Sequence, residues 1–183
     1  MTAPSSPPPD RSALMRCLLE AKAVRFGEFT LASGEKSDVY IDVKRAWTDP
    51  ARLELLASAL APRVGRTDRL AGMELGAVPL VVATALKTRH PYVVLRKATK
   101  EHGTRQPFEG EIPAGSHVLL IEDVSTTGGS TLRSIEIVRA AGGIVDRALV
   151  VVDRESGAVE RLAAVGVRLD PLLTLSELRG ATQ

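Results

Sequence analysis

Short aliphatic runs at Leu70–Met73, Tyr92–Leu95, His117–Ile121, Ala148–Val152 and Val167–Leu169 alternate with amphipathic segments over most of the chain. This alternation limits the possible folds more than any other feature. The intervening segments, from Arg52 to about Val64, Pro79 to about Thr88, Ser130 to Ala141 and Ala158 to Ala164, carry apolar residues at helical spacing. A strand that is apolar at nearly every position is covered on both faces, so the pattern predicts an α/β fold: a mostly parallel, twisted sheet flanked by helices. Only 3% of the residues are aromatic, so the core is built from Val, Leu, Ile and Ala. A chain of 183 residues suits one domain, expected here over residues 10–183.

Two further elements precede this block. Residues 1–9 hold four prolines and two serines and read as a disordered tail. Asp10 or Ser12 caps a helix carrying Leu14, Cys17, Leu18 and Ala21, and Phe26–Val43 reads as an antiparallel hairpin turning at Ser33-Gly34. With one cysteine, Cys17, the chain has no internal disulfide or cysteine zinc finger. No apolar run approaches the roughly 20 residues of a bilayer span, and the N-terminus lacks a leader pattern, so a cytoplasmic protein without a membrane partner is expected. The formal charge of +2 lacks the concentrated basic field that nucleic acid requires. The polar stretch between Ala98 and Ser116 is longer than an ordinary connection and holds no apolar periodicity, which marks it as either a functional lid or a disordered segment.

The chemistry concentrates in Val118-Leu119-Leu120-Ile121-Glu122-Asp123-Val124-Ser125-Thr126-Thr127-Gly128-Gly129-Ser130. An aliphatic strand ends in two acids, passes through a loop of small hydroxyl residues and glycines, and enters a helix. Ligands of open α/β sheets bind at the carboxyl ends of strands. A small-residue loop before a helix offers backbone N–H groups and a favourable dipole end, which together form a phosphate cradle. The cradle is neither a Walker loop, which needs Lys before its Ser/Thr, nor the Gly-x-Gly-x-x-Gly of dinucleotide binding. The two acids suit a sugar diol lying between a phosphate and a reactive carbon, as in a ribose phosphate. A merely capped turn would account for Gly-Gly-Ser but not for the whole block.

This block resembles the phosphoribosyl diphosphate (PRPP) motif of the type I phosphoribosyltransferases, with Glu122 and Asp123 on its two acids and residues 125–130 on its phosphate loop. Arg96-Lys97-Ala98-Thr99-Lys100-Glu101-His102-Gly103 is similar to the catalytic loop of the orotate phosphoribosyltransferases. Phe29-Thr30-Leu31-Ala32-Ser33-Gly34 through Asp42 resembles their N-terminal hood, here spanning about residues 10–45. Many bacterial members carry Lys at the position of Ala32. Glu74-Leu75-Gly76-Ala77-Val78-Pro79 resembles their diphosphate loop without the Lys that some members have there.

The resemblance implies transfer of ribose 5-phosphate from PRPP to N1 of orotate, in pyrimidine biosynthesis. It assigns Lys100, His102 and Asp123 to catalysis. PRPP falls to Arg96, Lys97, Lys100, His102, Glu122, Asp123, Val124, Ser125, Thr126, Thr127, Gly128, Gly129 and Ser130. Orotate falls to Thr126, Arg154, Tyr40 and Ile41. Arg154 suits a planar carboxylate through two parallel N–H bonds, although between Asp153 and Glu155 it also reads as a surface ion pair. The resemblance further implies Mg²⁺ carried by PRPP without direct protein ligands, and a homodimer whose lid loop, residues 97–110, serves the neighbouring subunit's site. A purine phosphoribosyltransferase would share the cradle without the lid and hood. A PRPP-sensing regulator of nucleic acid would add a basic face or a helix-turn-helix, and the sequence has neither.

Overall fold

The structure, a computed structural model, describes residues 9–30, 34, 36–97 and 106–181. The expected tail, apart from Pro9, lies outside the described residues, as do Ala32, Ser33, Lys100 and His102.

Helix α1 (Arg11–Glu20) starts where the Asp10 carboxylate accepts the Ala13 amide at 2.6 Å, and it buries Leu14, Cys17 and Leu18. Strands β1 (Val24–Thr30) and β2 (Lys36–Ile41) pair antiparallel, with Val24 opposite Ile41 and Phe29 opposite Ser37. The register shifts between Phe26 and Phe29, where Gly27 adopts φ +144°, a conformation open to glycine. A short helix α2 (Lys44–Trp47) leads to α3 (Pro50–Leu60), capped by Asp49 and opened by a proline in its first turn.

The main body then runs β3 (Arg69–Met73), α4 (Val78–Thr88), β4 (Tyr92–Leu95), β5 (Phe108–Glu109), β6 (Val118–Ser125), α5 (Gly129–Ala140), β7 (Arg147–Asp153), α6 (Ala158–Ala163), β8 (Arg168–Thr174) and α7 (Leu175–Gly180). Its sheet has the order β5-β4-β3-β6-β7-β8 and is parallel except for β5. The winding reverses between β3 and β6, which opens a crevice at their carboxyl ends.

Strand alternation divides the core into two layers. Leu119 and Ile121 of β6, with Leu149 and Val151 of β7, pack with α1, α3 and α4. Val118 and Leu120, with Ala148 and Val150, pack with α5 and α6. Both faces are therefore covered, which is why these strands read as unbroken aliphatic runs. Each fully buried Leu contributes about 1.5–3 kcal/mol.

Three boundaries differ from expectation. The 98–116 stretch contains a two-residue edge strand, β5, held by pairing of Val94 with Glu109 and Leu95 with Phe108. The central strand continues through both acids to Ser125, because β7 pairs with it as far as Asp153. The last strand extends to Thr174, followed by α7, whose Thr174–Glu177 capping box lies in plain sequence. Among the described residues no helix is long and apolar enough to cross a membrane.

Candidate active site

Because Glu122 and Asp123 are consecutive in a strand, they leave it toward opposite layers. Glu122 follows Leu120 toward α5, where the Ser130 hydroxyl donates to its Oε2 at 3.1 Å. Asp123 follows Ile121 toward the loop after β3. Its Oδ1 accepts its neighbour Val124's amide at 2.9 Å, and its carboxylate lies beside Gly76. A Cβ at Gly76 would sit 2.6 Å from Asp123 Cγ, so that approach requires glycine. Glu122 is buried to 7% exposure; burial first, then the neighbouring Asp123 charge, pushes its carboxyl up to about 8.

Both acids open into a cavity of about 420 Å³ whose wall also includes Lys44, Glu74, Gly76, Lys97 and Ser130. The chain after β3 shapes one side. The Glu74 amide donates to the Leu95 carbonyl at 2.8 Å, and the Glu74 carboxylate accepts the Lys97 amide at 2.9 Å.

Beyond β6, residues 126–128 turn into α5 with Gly128 at φ +75°, its α-carbon close to Ala158. The N–H groups of Thr127 through Thr131 donate to no protein acceptor among the described residues, whereas Leu132 already donates to the Gly128 carbonyl at 2.9 Å. Thr126 and Thr127 are exposed, and the buried Ser125 and Thr131 hydroxyls lack partners. This is a nest of donors at a helix N-terminus, suited to a phosphoryl group.

Arg154 follows β7 one strand away. Its guanidinium donates to the Ser37 hydroxyl of β2 at 3.4 Å, while its buried Nε has no partner. It pairs with neither flanking acid. Asp153 accepts the Glu155 amide at 3.1 Å, and Glu155 accepts the Ser176 amide and hydroxyl at 2.7 and 2.6 Å. On β2, Ser37, Val39 and Ile41 share one face by alternation, and Tyr40 takes the other, with its ring 5.8 Å from Phe29 and Arg25 4.9 Å above it. Arg96 pairs with Glu109 of β5 and is not among the cavity-lining residues.

The structure thus gathers Lys97, Glu122, Asp123, Val124 and Ser130 in one cavity, with residues 125–129 beside it and Arg154 facing the hairpin. Arg96, paired with Glu109, and Tyr40, beside Phe29 and Arg25, do not line that wall. From sequence, Gly76 stands out only as part of the diphosphate loop, and neither Lys44 nor the Ser37–Arg154 contact is evident. For Lys44 no local pattern gives a signal, because its place in the wall beside Asp123 comes from contacts distant in sequence.

A sheet with this crevice, acids and donor nest defines a class. The phosphoribosyl transferase domain matches residues 51–169, and the chain belongs to that family. It is 45% identical over 170 residues to an orotate phosphoribosyltransferase of Methanocaldococcus jannaschii, covering 92% of this chain and 97% of that one. The crystal structure of orotate phosphoribosyltransferase from Aeropyrum pernix matches with a TM-score of 0.81 at 38% identity, over 92% of this chain and 97% of that one. The Mycobacterium tuberculosis enzyme crystallised in complex with PRPP matches with a TM-score of 0.76 at 30% identity, over 93% and 99% of the two chains. Within the family, the chain belongs to the orotate phosphoribosyltransferases.

Proposed function

We propose that this protein transfers ribose 5-phosphate from PRPP to N1 of orotate, forming orotidine 5′-monophosphate and diphosphate for pyrimidine biosynthesis. The observation that carries this reading is the run of unpaired amides entering α5, directly after two acids at the end of a central strand. The amides of residues 126–130 take the 5-phosphate, and Glu122 and Asp123 accept hydrogen bonds from the ribose diol. As the C1–O bond to diphosphate breaks and the C1–N1 bond forms, positive charge grows on the ring, by analogy with glycoside chemistry. Asp123 and Glu122 face that charge. Little covalent work falls to the protein beyond positioning and electrostatic stabilisation.

Orotate is held by Arg154, whose unpaired Nε leaves a donor for the carboxylate, and by Thr126. Ile41 flanks the ring from the strand face it shares with Ser37, and Tyr40 is the hairpin's outer aromatic. The leaving diphosphate meets Arg96, Lys97, Lys100 and His102, with Lys100 and His102 supplied by the lid of residues 97–110. That lid serves the neighbouring subunit of a cytoplasmic homodimer, and the domain spans residues 10–183 with residues 10–45 as its hood.

Among the described residues no group of three or more metal-ligating side chains clusters. A Mg²⁺ ion would arrive on the phosphates of PRPP without direct protein ligands, since Glu122 and Asp123 in the cavity wall are taken by the ribose diol. When bound, that ion neutralises charge on the leaving diphosphate. The reading is tested by mixing protein, PRPP, Mg²⁺ and orotate and following loss of orotate absorbance, with uracil and adenine as controls. Turnover with orotate alone is expected; turnover with adenine or uracil in its place would reject the assignment.

A further inference from the structure

We propose that Lys44 is the fixed cation that receives the diphosphate end of PRPP, in a cavity whose diphosphate loop carries no cation of its own. The inference rests on the phosphoribosyltransferase reading of that cavity. The loop after β3 runs Glu74-Leu75-Gly76-Ala77-Val78-Pro79, without Lys or Arg. The described cavity wall holds the carboxylates of Glu74, Glu122 and Asp123 against the ammonium groups of Lys44 and Lys97. A diphosphate adds several more negative charges to this space, so its binding needs the cations the wall can present.

Lys44 is placed for that task by the chain before it. Strand β2 ends at Ile41, and the Asp42 amide donates to the Ala23 carbonyl at 2.7 Å, fixing the junction between hairpin and core. Lys44 then opens α2 with its Nζ 2.6 Å from Asp42 Oδ1. The contact its ammonium makes to the Asp42 carboxylate, and then the charges of Asp42 and Asp123, hold its pKa above the ordinary lysine value, so the ammonium stays charged. One contact to Asp42 leaves further N–H donors, and the side chain is 49% exposed at the cavity wall. A surface Lys–Asp pair by itself contributes little to stability. Placement in the wall that holds Asp123 and the diphosphate loop distinguishes this one.

The test compares wild type, Lys44→Ala, Lys44→Arg and Asp42→Asn by calorimetric titration with Mg²⁺–PRPP, Mg²⁺–diphosphate and ribose 5-phosphate, alongside melting temperature. Lys44→Ala is expected to weaken PRPP and diphosphate roughly 10- to 100-fold, from the loss of one charge-assisted contact. Ribose 5-phosphate, held by the cradle, should bind as in wild type, and Lys44→Arg should restore most of the PRPP affinity. Wild-type diphosphate affinity in Lys44→Ala would overturn the inference. So would an equal loss for all three ligands in Lys44→Ala and Asp42→Asn together with a lower melting temperature, because that marks a structural ion pair. If wild type itself binds neither PRPP nor ribose 5-phosphate, the phosphoribosyltransferase reading falls first and takes this inference with it.

Discussion

The carboxylate of Asp123 lies against Gly76, close enough that an added Cβ would sit 2.6 Å from its Cγ. Gly76→Ala must therefore push Asp123 or the loop after β3 away from the cavity. The expected result is a fall in kcat/KM of at least about tenfold, ~1.4 kcal/mol of transition-state stabilisation. Melting temperature should hardly change, since the loop lies beyond the carboxyl end of β3, with Leu75 exposed and Gly76 only half-buried. Steady-state kinetics and a thermal melt together check this.

Glu122 links the site to pH. Its carboxyl in the folded protein is raised to about 8 from the usual 4.5 by burial and by Asp123. Between those values the folded protein holds a proton that the unfolded chain has released. The stability this group contributes is full below pH about 4.5 and is lost as pH rises through about 8. Melting temperature should therefore carry a downward component between about pH 5 and 8 that Glu122→Gln removes. PRPP affinity should rise over the same interval, because the diol donates to the carboxylate form, and that rise should flatten in Glu122→Gln.

Arg154 donates to Ser37 and keeps an unpaired Nε, so its guanidinium is oriented before any ligand arrives. Arg154→Ala should raise the orotate KM roughly 10- to 100-fold with a much smaller effect on the PRPP KM. Arg154→Lys should recover little, because an ammonium cannot make two parallel bonds to a carboxylate.

The loop that carries Arg154 is clasped by the C-terminal helix, through Glu155 to Ser176 at 2.7 and 2.6 Å. Glu155→Ala frees that loop. Orotate KM should rise several-fold, less than in Arg154→Ala, and a double mutant should be non-additive. Double-mutant kinetics provide the check.

Lys100→Ala should lower kcat at least about tenfold and leave the fold intact, as read by circular dichroism. Mixed with an inactive Asp123→Asn protein under conditions of subunit exchange, it should regain part of the activity. No recovery despite confirmed exchange would contradict a lid acting across the dimer.

Much of this was legible in the chain. The aliphatic runs become β3, β4, β6, β7 and β8 because helices cover both sheet faces, and apolar continuity records double coverage directly. The 118–130 block names its own strand, acids and helix entry. What stayed hidden depends on contacts distant in sequence. The two residues of β5 are strand only because β4 offers them an edge. Continuation of β6 through two acids runs against the expectation that charges end a buried strand, and pairing with β7 overrides it. Lys44 joins the cavity through the docking of the hairpin, which no local pattern encodes. Helix α7, by contrast, carried a readable capping box.

The account turns on the donor nest at the start of α5, and a crystal structure of the protein with ribose 5-phosphate addresses it directly. The expected result is a phosphoryl group within about 2.7–3.2 Å of the amide nitrogens of residues 126–130, with the ribose hydroxyls on Glu122 and Asp123. A phosphate bound elsewhere at full occupancy, with those amides touching only solvent, would contradict it.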